Sequence, residues 1–303
     1  MNENDLLQHV YAANGGLPAG VLIPPGDDLG AVRFGNDILL VGVDQLIGGV
    51  HVDPTTATPE QIGRKAVTRN LSDVAAMAAV PVAAVAAVTL PRGSDDGWTK
   101  RLFDATRQTA AAYGCPLIGG DIATSDGPLV VTVTVWARPD GIDPVTRRGG
   151  RPGDVVWVSG ALGHSLPTGH HLDFEPRLEL ARELAGHPAL RPRAMLDLSD
   201  GIAQDLPRLV PHAELDARAL PVRATDAAPG DATADWPHAV GDGEDYELLI
   251  LADPGVDYPA EVAGVRLTRI GRVTETAGVV VRTPDGRRHP VAGRGWEHRG
   301  DPS

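Results

Sequence analysis

The chain has 303 residues and a formal net charge of −13, with 42% hydrophobic, 22% charged and 4% aromatic residues, a globular composition with room for one large domain or two ordinary ones. Its densest basic stretch, Arg147, Arg148 and Arg151, is short and broken by glycine, so nucleic acid is not an expected partner of so acidic a chain. The longest apolar runs fall short of the roughly 20 residues a bilayer span needs, and the N-terminus MNENDLLQHV has neither the basic start nor the apolar core of a signal peptide, so a soluble, cytoplasmic protein without a membrane partner is expected.

In chain order, an opening helix gives way to the turn-rich LPAGVLIPPGDDLG, and residues 31–44 read as two short strands joined at Gly35 and Asn36. Residues 59–79 have helical periodicity, with Pro59 suited to a first turn and Pro81 marking the stop. A strand over 81–90, a helix over 96–113 and a strand over 129–136 follow, which together suggest an α+β unit. The glycine- and proline-rich stretch 138–153 is the best candidate domain boundary. Beyond it, DVVWVSG is strand-like, a helix is expected over 176–184, and a short strand over 194–198 feeds a helix beginning near Ser199 or Asp200. Residues 221–237 look like a loop, 246–251 and 265–273 like strands, and Trp296 suggests that part of the tail packs back onto the body.

The chemistry lies in the aspartates. Asp27 and Asp28 follow Gly26, Asp44 ends an apolar strand, Asp121 follows Gly119 and Gly120, and Asp197 and Asp200 bracket Ser199 ahead of Gly201. Most single aspartates are solvated surface groups, but apolar strands that deliver several carboxylates to their ends can converge them on one cleft, where cations must offset their repulsion. Asp73 is the sharpest clue. It continues a helical stripe of Ile62, Ala66, Asn70 and Met77, where an ionised carboxylate needs a counterion. Mg²⁺ commonly takes one or two carboxylates, waters and substrate phosphates. The ten histidines form no HExxH pattern, there is no CxxC, and no GxxxxGK[ST] loop is present, so zinc is poorly supported and the commonest phosphate loop is excluded. GGD at 119–121 and SDG at 199–201 remain candidate phosphate or metal turns. Cys115, the single cysteine, excludes an intramolecular disulfide and has no evident histidine partner, so burial is its expected role. The residues alone point to phosphate handled through Mg²⁺ and aspartates, with the acceptor unnamed.

From residue 24 to residue 250, the stretches PPGDDLG, VDQLIGGVHVD, NLSDVAAMAAVP, LIGGDIA, TRRGGRPGD, MLDLSDGIAQDL and GDGEDYELLI run in family order. Together they resemble the thiamine-monophosphate kinase family, within the superfamily that contains aminoimidazole ribonucleotide synthetase, selenophosphate synthetase and a hydrogenase-maturation protein. The resemblance implies a two-domain α/β (α+β) fold. Residues 1–137 would form an N-terminal synthetase-like domain, a mixed sheet with flanking helices and dimer-forming strands, and residues 150–303 a C-terminal α/β domain for nucleotide and substrate. It further implies a homodimer that uses ATP and several Mg²⁺ ions to convert thiamine monophosphate to the diphosphate. Asp27, Asp28, Asp44, Asp73, Asp121, Asp197 and Asp200 would match metal positions, with Asp73, Asp121 and Asp200 nearest the chemistry. Gly120, Asp121, Arg147 and Ser199 would contact nucleotide, and His51, Glu244 and Trp296 would face the acceptor.

Two departures stand out. The family usually places Ser-Thr before the aspartate that aligns with Asp44, whereas this chain has Gly42 and Val43, and the helical stretch between SGALGHS and Pro176-Arg177 is largely absent. A relative phosphorylating another small molecule, or a weakened nucleotide-binding homologue, is the alternative.

Overall fold

The computed structural model describes residues 3–225, 232–276 and 278–295. The first part of the chain runs α1 (Glu3–Tyr11), β1 (Val21–Ile23), β2 (Gly30–Phe34), β3 (Asp37–Ile47), α2 (Pro59–Ala76), β4 (Val80–Pro91), α3 (Asp96–Ala112), β5 (Leu117–Ser125) and β6 (Val130–Arg138). The strands form one sheet in the order β1-β2-β3-β6-β4-β5, mixed because β4 and β5 alone are parallel. Alternation along β6 buries Val131, Val133, Val135 and Ala137 against α2 and leaves the other face of the sheet more open.

After a linker come β7 (Val155–Ser159), the short helices α4 (Ser165–Thr168) and α5 (His170–Asp173), α6 (Leu178–Gly186), β8 (Ala194–Asp197), α7 (Ile202–Leu209), β9 (Ala213–Asp216), α8 (Ala232–Gly241) and β10 (Leu248–Ala252). The chain ends with β11 (Glu261–Val262), β12 (Val265–Val273), β13 (Val279–Arg282) and β14 (Arg288–Pro290). These strands make a second sheet, β14-β13-β9-β12-β7-β10-β8, with β11 on β12. Strands β7, β8 and β10 are buried throughout, as expected of strands covered on both faces. The expected two-domain α/β architecture is what the chain adopts.

Helix α2 joins the two halves. It starts cleanly because Thr58 and Gln61 form a reciprocal capping box and Pro59 occupies the first turn. Small residues and aliphatics bury it on nearly every side. Its middle packs into the first core with Ile62, Val67 and Leu71, while Ala75, Ala76 and the following Ala78 pack with Leu180 and Leu184 of α6. The consequence is that the last turn of α2 lies beside the second sheet.

Several sequence expectations need correction. Residues 119–121 are not a turn but the interior of β5, in register with Val85, Ala86 and Ala87 of β4. Gly120 is required there by contact, because a Cβ would collide with the carbonyl oxygen of Ala86. Asp44 lies inside β3 rather than at its end. The helix after SDG begins only at Ile202, so the tripeptide is a loop that precedes it. The stretch read as a loop up to residue 237 contains the start of α8. Strands β9, β13 and β14 carry no clear sequence signal because they are short and contain charged residues or proline. No helix among the described residues is long and apolar enough to cross a membrane.

Candidate active site

Asp28 comes from the loop between β1 and β2, Asp73 from the last turn of α2, and Asp197 from the end of β8. Each offers a carboxylate oxygen lying within 4.8 Å of the others. The loop is pinned by the Leu29 amide on Met77 Sδ (3.1 Å) and by the Arg147 amide on Asp27 Oδ1 (3.0 Å). Arg147 donates two further bonds to Asp28, at 3.2 and 2.7 Å, which anchors the interdomain linker to the first domain. In this state Arg147 is a counterion of Asp28 rather than an open clamp.

One arginine does not neutralise the group. Burial, followed by the charges of Asp197, Asp44 and Asp28, pushes the Asp73 carboxyl well above its usual range. Asp197 is raised likewise, by burial first and then by Asp28. Burial and Asp28 also raise Asp27. A cleft that holds like charges at this cost, with oxygen donors only, has the donor set of a hard cation.

The remaining predicted residues divide. Asp44 pairs with Arg69 at 3.0 Å, and its amide donates to Asn70 Oδ1 at 3.1 Å. Asp200 pairs with Arg208 at 2.8 Å. Its amide donates to the buried Asp205, whose pKa rises to about 7 through burial and the Asp200 charge, against the opposing pull of Arg208. Asp121 stands apart. It aligns through Ala87 and Thr132 with Gln45, three strand spacings or about 14 Å from β3, and on the face opposite Asp44. A single chain therefore does not bring Asp121 to the cluster. Trp296 lies outside the described residues.

Of the missing hydroxyl pair, only the first position faces the Asp44 side of β3. Gly42 is overlain by the Leu29 side chain, which a Cβ would strike. Val43 points to the open face and is 60% exposed. Leu29 thus occupies the space where a serine side chain would stand.

Beside the cluster is a cavity of about 400 Å³ between the two halves, walled by His51 and Arg69 on one side and by Ser199, Asp200, Glu244 and Tyr246 on the other. The sequence reading missed what organises it. Lys65, completely buried, donates to Glu244 Oε2 and, at 2.6 Å, to the carbonyl of His51, so one ammonium holds both predicted acceptor-side residues. Burial lowers its pKa, while the Glu244 charge holds it up. Lys65, Arg69 and Asp73 recur every fourth residue on α2, and this polar row was the signal available. Glu244 and Tyr246 both sit at positive φ (57° and 51°), a strained arrangement for side-chain-bearing residues. It is fixed by the Glu244 and Tyr246 amides donating to the carbonyls of Ser199 and Leu198 (2.7 and 2.8 Å) and by Tyr246 stacking on Phe174.

The shortened segment forms α4 and α5 and is tied down at its end. Arg177 makes two bonds to the buried Glu247, at 2.7 and 2.6 Å, and Arg64 reaches the carbonyls of Asp173 and Phe174. Cys115 is buried, and burial lifts its thiol to about 11, as its apolar surroundings dictate.

Asp245, buried and raised to about 8 chiefly by burial, gives a pH signature. The folded chain holds this proton where the unfolded chain has lost it, so between the ordinary value of 3.8 and about 8 the folded state binds more protons. Its contribution to stability is therefore present at low pH and falls as pH rises through that window. Asp245→Asn should gain stability relative to the wild type as pH rises from 5 to 8, as measured by thermal melting. A constant difference across that range would refute the assignment.

A family model described as "AIR synthase related protein, N-terminal domain" matches residues 26–138. Thiamine-monophosphate kinase of Rhodopirellula baltica is 34% identical over 263 residues, covering 84% of this chain and 82% of that protein. The chain belongs to the thiamine-monophosphate kinase family. The Synechococcus elongatus thiamine-monophosphate kinase is 30% identical, covering 93% of this chain and 90% of its own. A solved structure titled "AaThiL complexed with AMPPCP and TMP" is 25% identical with a TM-score of 0.78, covering 98% of this chain and 97% of its own. Membership in this kinase family assigns the chain, in general terms, to ATP-dependent phosphoryl transfer.

Proposed function

We propose that the chain transfers the terminal phosphoryl group of ATP to thiamine monophosphate, forming thiamine diphosphate. The observation that carries this reading is the convergence of Asp28, Asp73 and Asp197 beside a cavity closed by His51 and Glu244. Those three carboxylates, with Asp27, Asp44 and Asp200 nearby, would hold Mg²⁺, which supplies charge neutralisation and polarisation of phosphoryl oxygens. Arg147 and Ser199 would bind and orient the nucleotide phosphates, Arg147 exchanging part of its pairing with Asp28 for a phosphate oxygen. Lys65 keeps Glu244 and the His51 backbone in place on the acceptor side. No general base is needed, because the acceptor oxygen already belongs to a phosphate anion, so rate comes from in-line placement and charge stabilisation.

The test is to incubate the full chain with ATP, Mg²⁺ and thiamine monophosphate and follow the products by mass. Diphosphate and ADP should appear together and only with all three present. Absence of diphosphate over a broad range of Mg²⁺ and pH, with turnover of another phosphorylated acceptor, would reassign the substrate while leaving the phosphotransferase reading intact.

A cytoplasmic homodimer is part of the same reading. Strand β5 is a nine-residue edge strand with Ile118 and Ile122 exposed at 68% and 63%, an edge that invites pairing with a second copy. Such pairing would also give Asp121 and Gly120 a route to a nucleotide that one chain alone does not offer. Light scattering should give a dimer for the wild type and a monomer for the double variant Ile118→Lys, Ile122→Lys. A dimer in both would exclude this edge as the interface.

A further inference from the structure

A second group of metal-ligating side chains, sharing no residue with the cluster of Asp28, Asp73 and Asp197, lines the same cavity. His238 and Asp242 are four residues apart at the end of α8, so they share one face, and His238 Nδ1 lies 3.1 Å from Asp242 Oδ1. His164 reaches them from the loop after β7. Its amide donates to Asp242 Oδ2 at 2.8 Å, and its ring stands 4.2 Å from that of His238. One ligand atom from each of the three residues lies within 4.8 Å of the others.

The loop is built to make this approach. Gly163, at φ +72°, packs directly on the backbone of α8, where a Cβ would lie 2.7 Å from His238 C and 2.8 Å from Ala239 N. His164 itself is left-handed, at φ 54°, an unfavourable conformation for a residue with a Cβ and one that marks functional sites when the surroundings enforce it. Its Nε2 is buried without a hydrogen-bond partner among the described residues. A buried polar atom left unpaired costs about 1–3 kcal/mol, and a metal ion is one group that would satisfy the ring.

We infer that His164, His238 and Asp242 form a binding site for a divalent transition-metal ion such as Zn²⁺, distinct from the carboxylate cluster. Two imidazoles and one carboxylate suit a borderline ion rather than Mg²⁺, which prefers oxygen donors. Three protein ligands leave a fourth position of a tetrahedral ion free. All three residues line the cavity, so that position opens towards it and accepts water or an anionic oxygen. Short-motif inspection could not detect the site, because residue 164 and the HxxxD pair are brought together only by the packing of the loop on α8.

The site does not depend on the identity of the acceptor, and its test reads metal rather than activity. The full chain, stripped of metal and held in excess Mg²⁺, is titrated with Zn²⁺ by calorimetry and with Co²⁺ by visible absorption. One equivalent should bind per chain, with cobalt bands of a low-symmetry, nitrogen-ligated site. His238→Ala alters a half-exposed side chain and should leave the fold intact. It and His164→Ala should each weaken Zn²⁺ binding by roughly 100-fold or more, beyond the 10–100-fold typical of losing an outer partner. Asp73→Asn should leave this binding unchanged. Failure of Zn²⁺ to bind in excess Mg²⁺, or binding that survives both histidine variants or vanishes in Asp73→Asn, would overturn the inference. None of those results would bear on phosphorylation of thiamine monophosphate.

Discussion

Replacing Asp73 by Asn should lower Mg²⁺-dependent turnover by roughly 10³-fold, the equivalent of several kcal/mol of lost charge stabilisation in phosphoryl transfer. The fold should survive. Asp73 is half-buried beside Asp197, Asp44 and Asp28, and the charges of those neighbours help drive its carboxyl upward. An isosteric amide removes repulsion without opening a cavity, so the melting temperature of the chelated variant should equal or exceed that of the wild type. The informative comparison is the response to Mg²⁺. Added ion should raise the melting temperature of the wild type, by mass action on the folded state, and do so much less for the variant. Normal turnover with unchanged Mg²⁺ dependence would remove the cluster from the mechanism.

The largest loss of stability should come from Arg177. Its guanidinium is the only cation bonded to Glu247 among the described residues, and Glu247 is 1% exposed, with the Ser159 hydroxyl as its other partner at 2.5 Å. Arg177→Met leaves a buried carboxylate without a counterion, which costs about 3–5 kcal/mol. Urea unfolding should show this as a lower midpoint at unchanged slope. Adding Glu247→Gln should recover a large part of the loss, because the double variant no longer buries a charge, and the non-additivity would measure the coupling. A single variant within 1 kcal/mol of the wild type would mean that the pair does not anchor the segment bearing α4 and α5. Since that segment supplies one wall of the cavity, the acceptor KM should rise in Arg177→Met before kcat falls.

Much of the fold was legible because local patterns carry it. Helical periodicity between Pro59 and Pro81 announces α2, and the apolar runs announce β6, β7 and β12 within a residue or two. Strand β5 was not legible. Its GGD suggests a turn, and only the close approach of β4 explains why glycine occupies the middle of a strand. Helix α8 was hidden by the Ala, Asp and Pro composition of its approach, because tertiary packing of Trp236, Ala239 and Val240 stabilises what propensity does not.

The site shows the same division. Residue type and order were enough to single out the aspartates and to place the chain among phosphotransferases, since the chemistry of a carboxylate and the order of motifs are properties of the chain itself. Which carboxylates meet was decided by the tertiary structure. Helix α2 carries Asp73 to the end of β8, Asp28 arrives on a loop held by Arg147, and Asp121 remains on the far edge of a sheet facing the other way. Lys65 could be seen in the sequence only as a polar residue on a buried helix, and its hold on Glu244 spans 179 positions. The same holds for His164 and the pair on α8. Local sequence encodes conformation and chemical type, whereas distances between groups far apart in the chain are set by how two sheets pack around one shared helix.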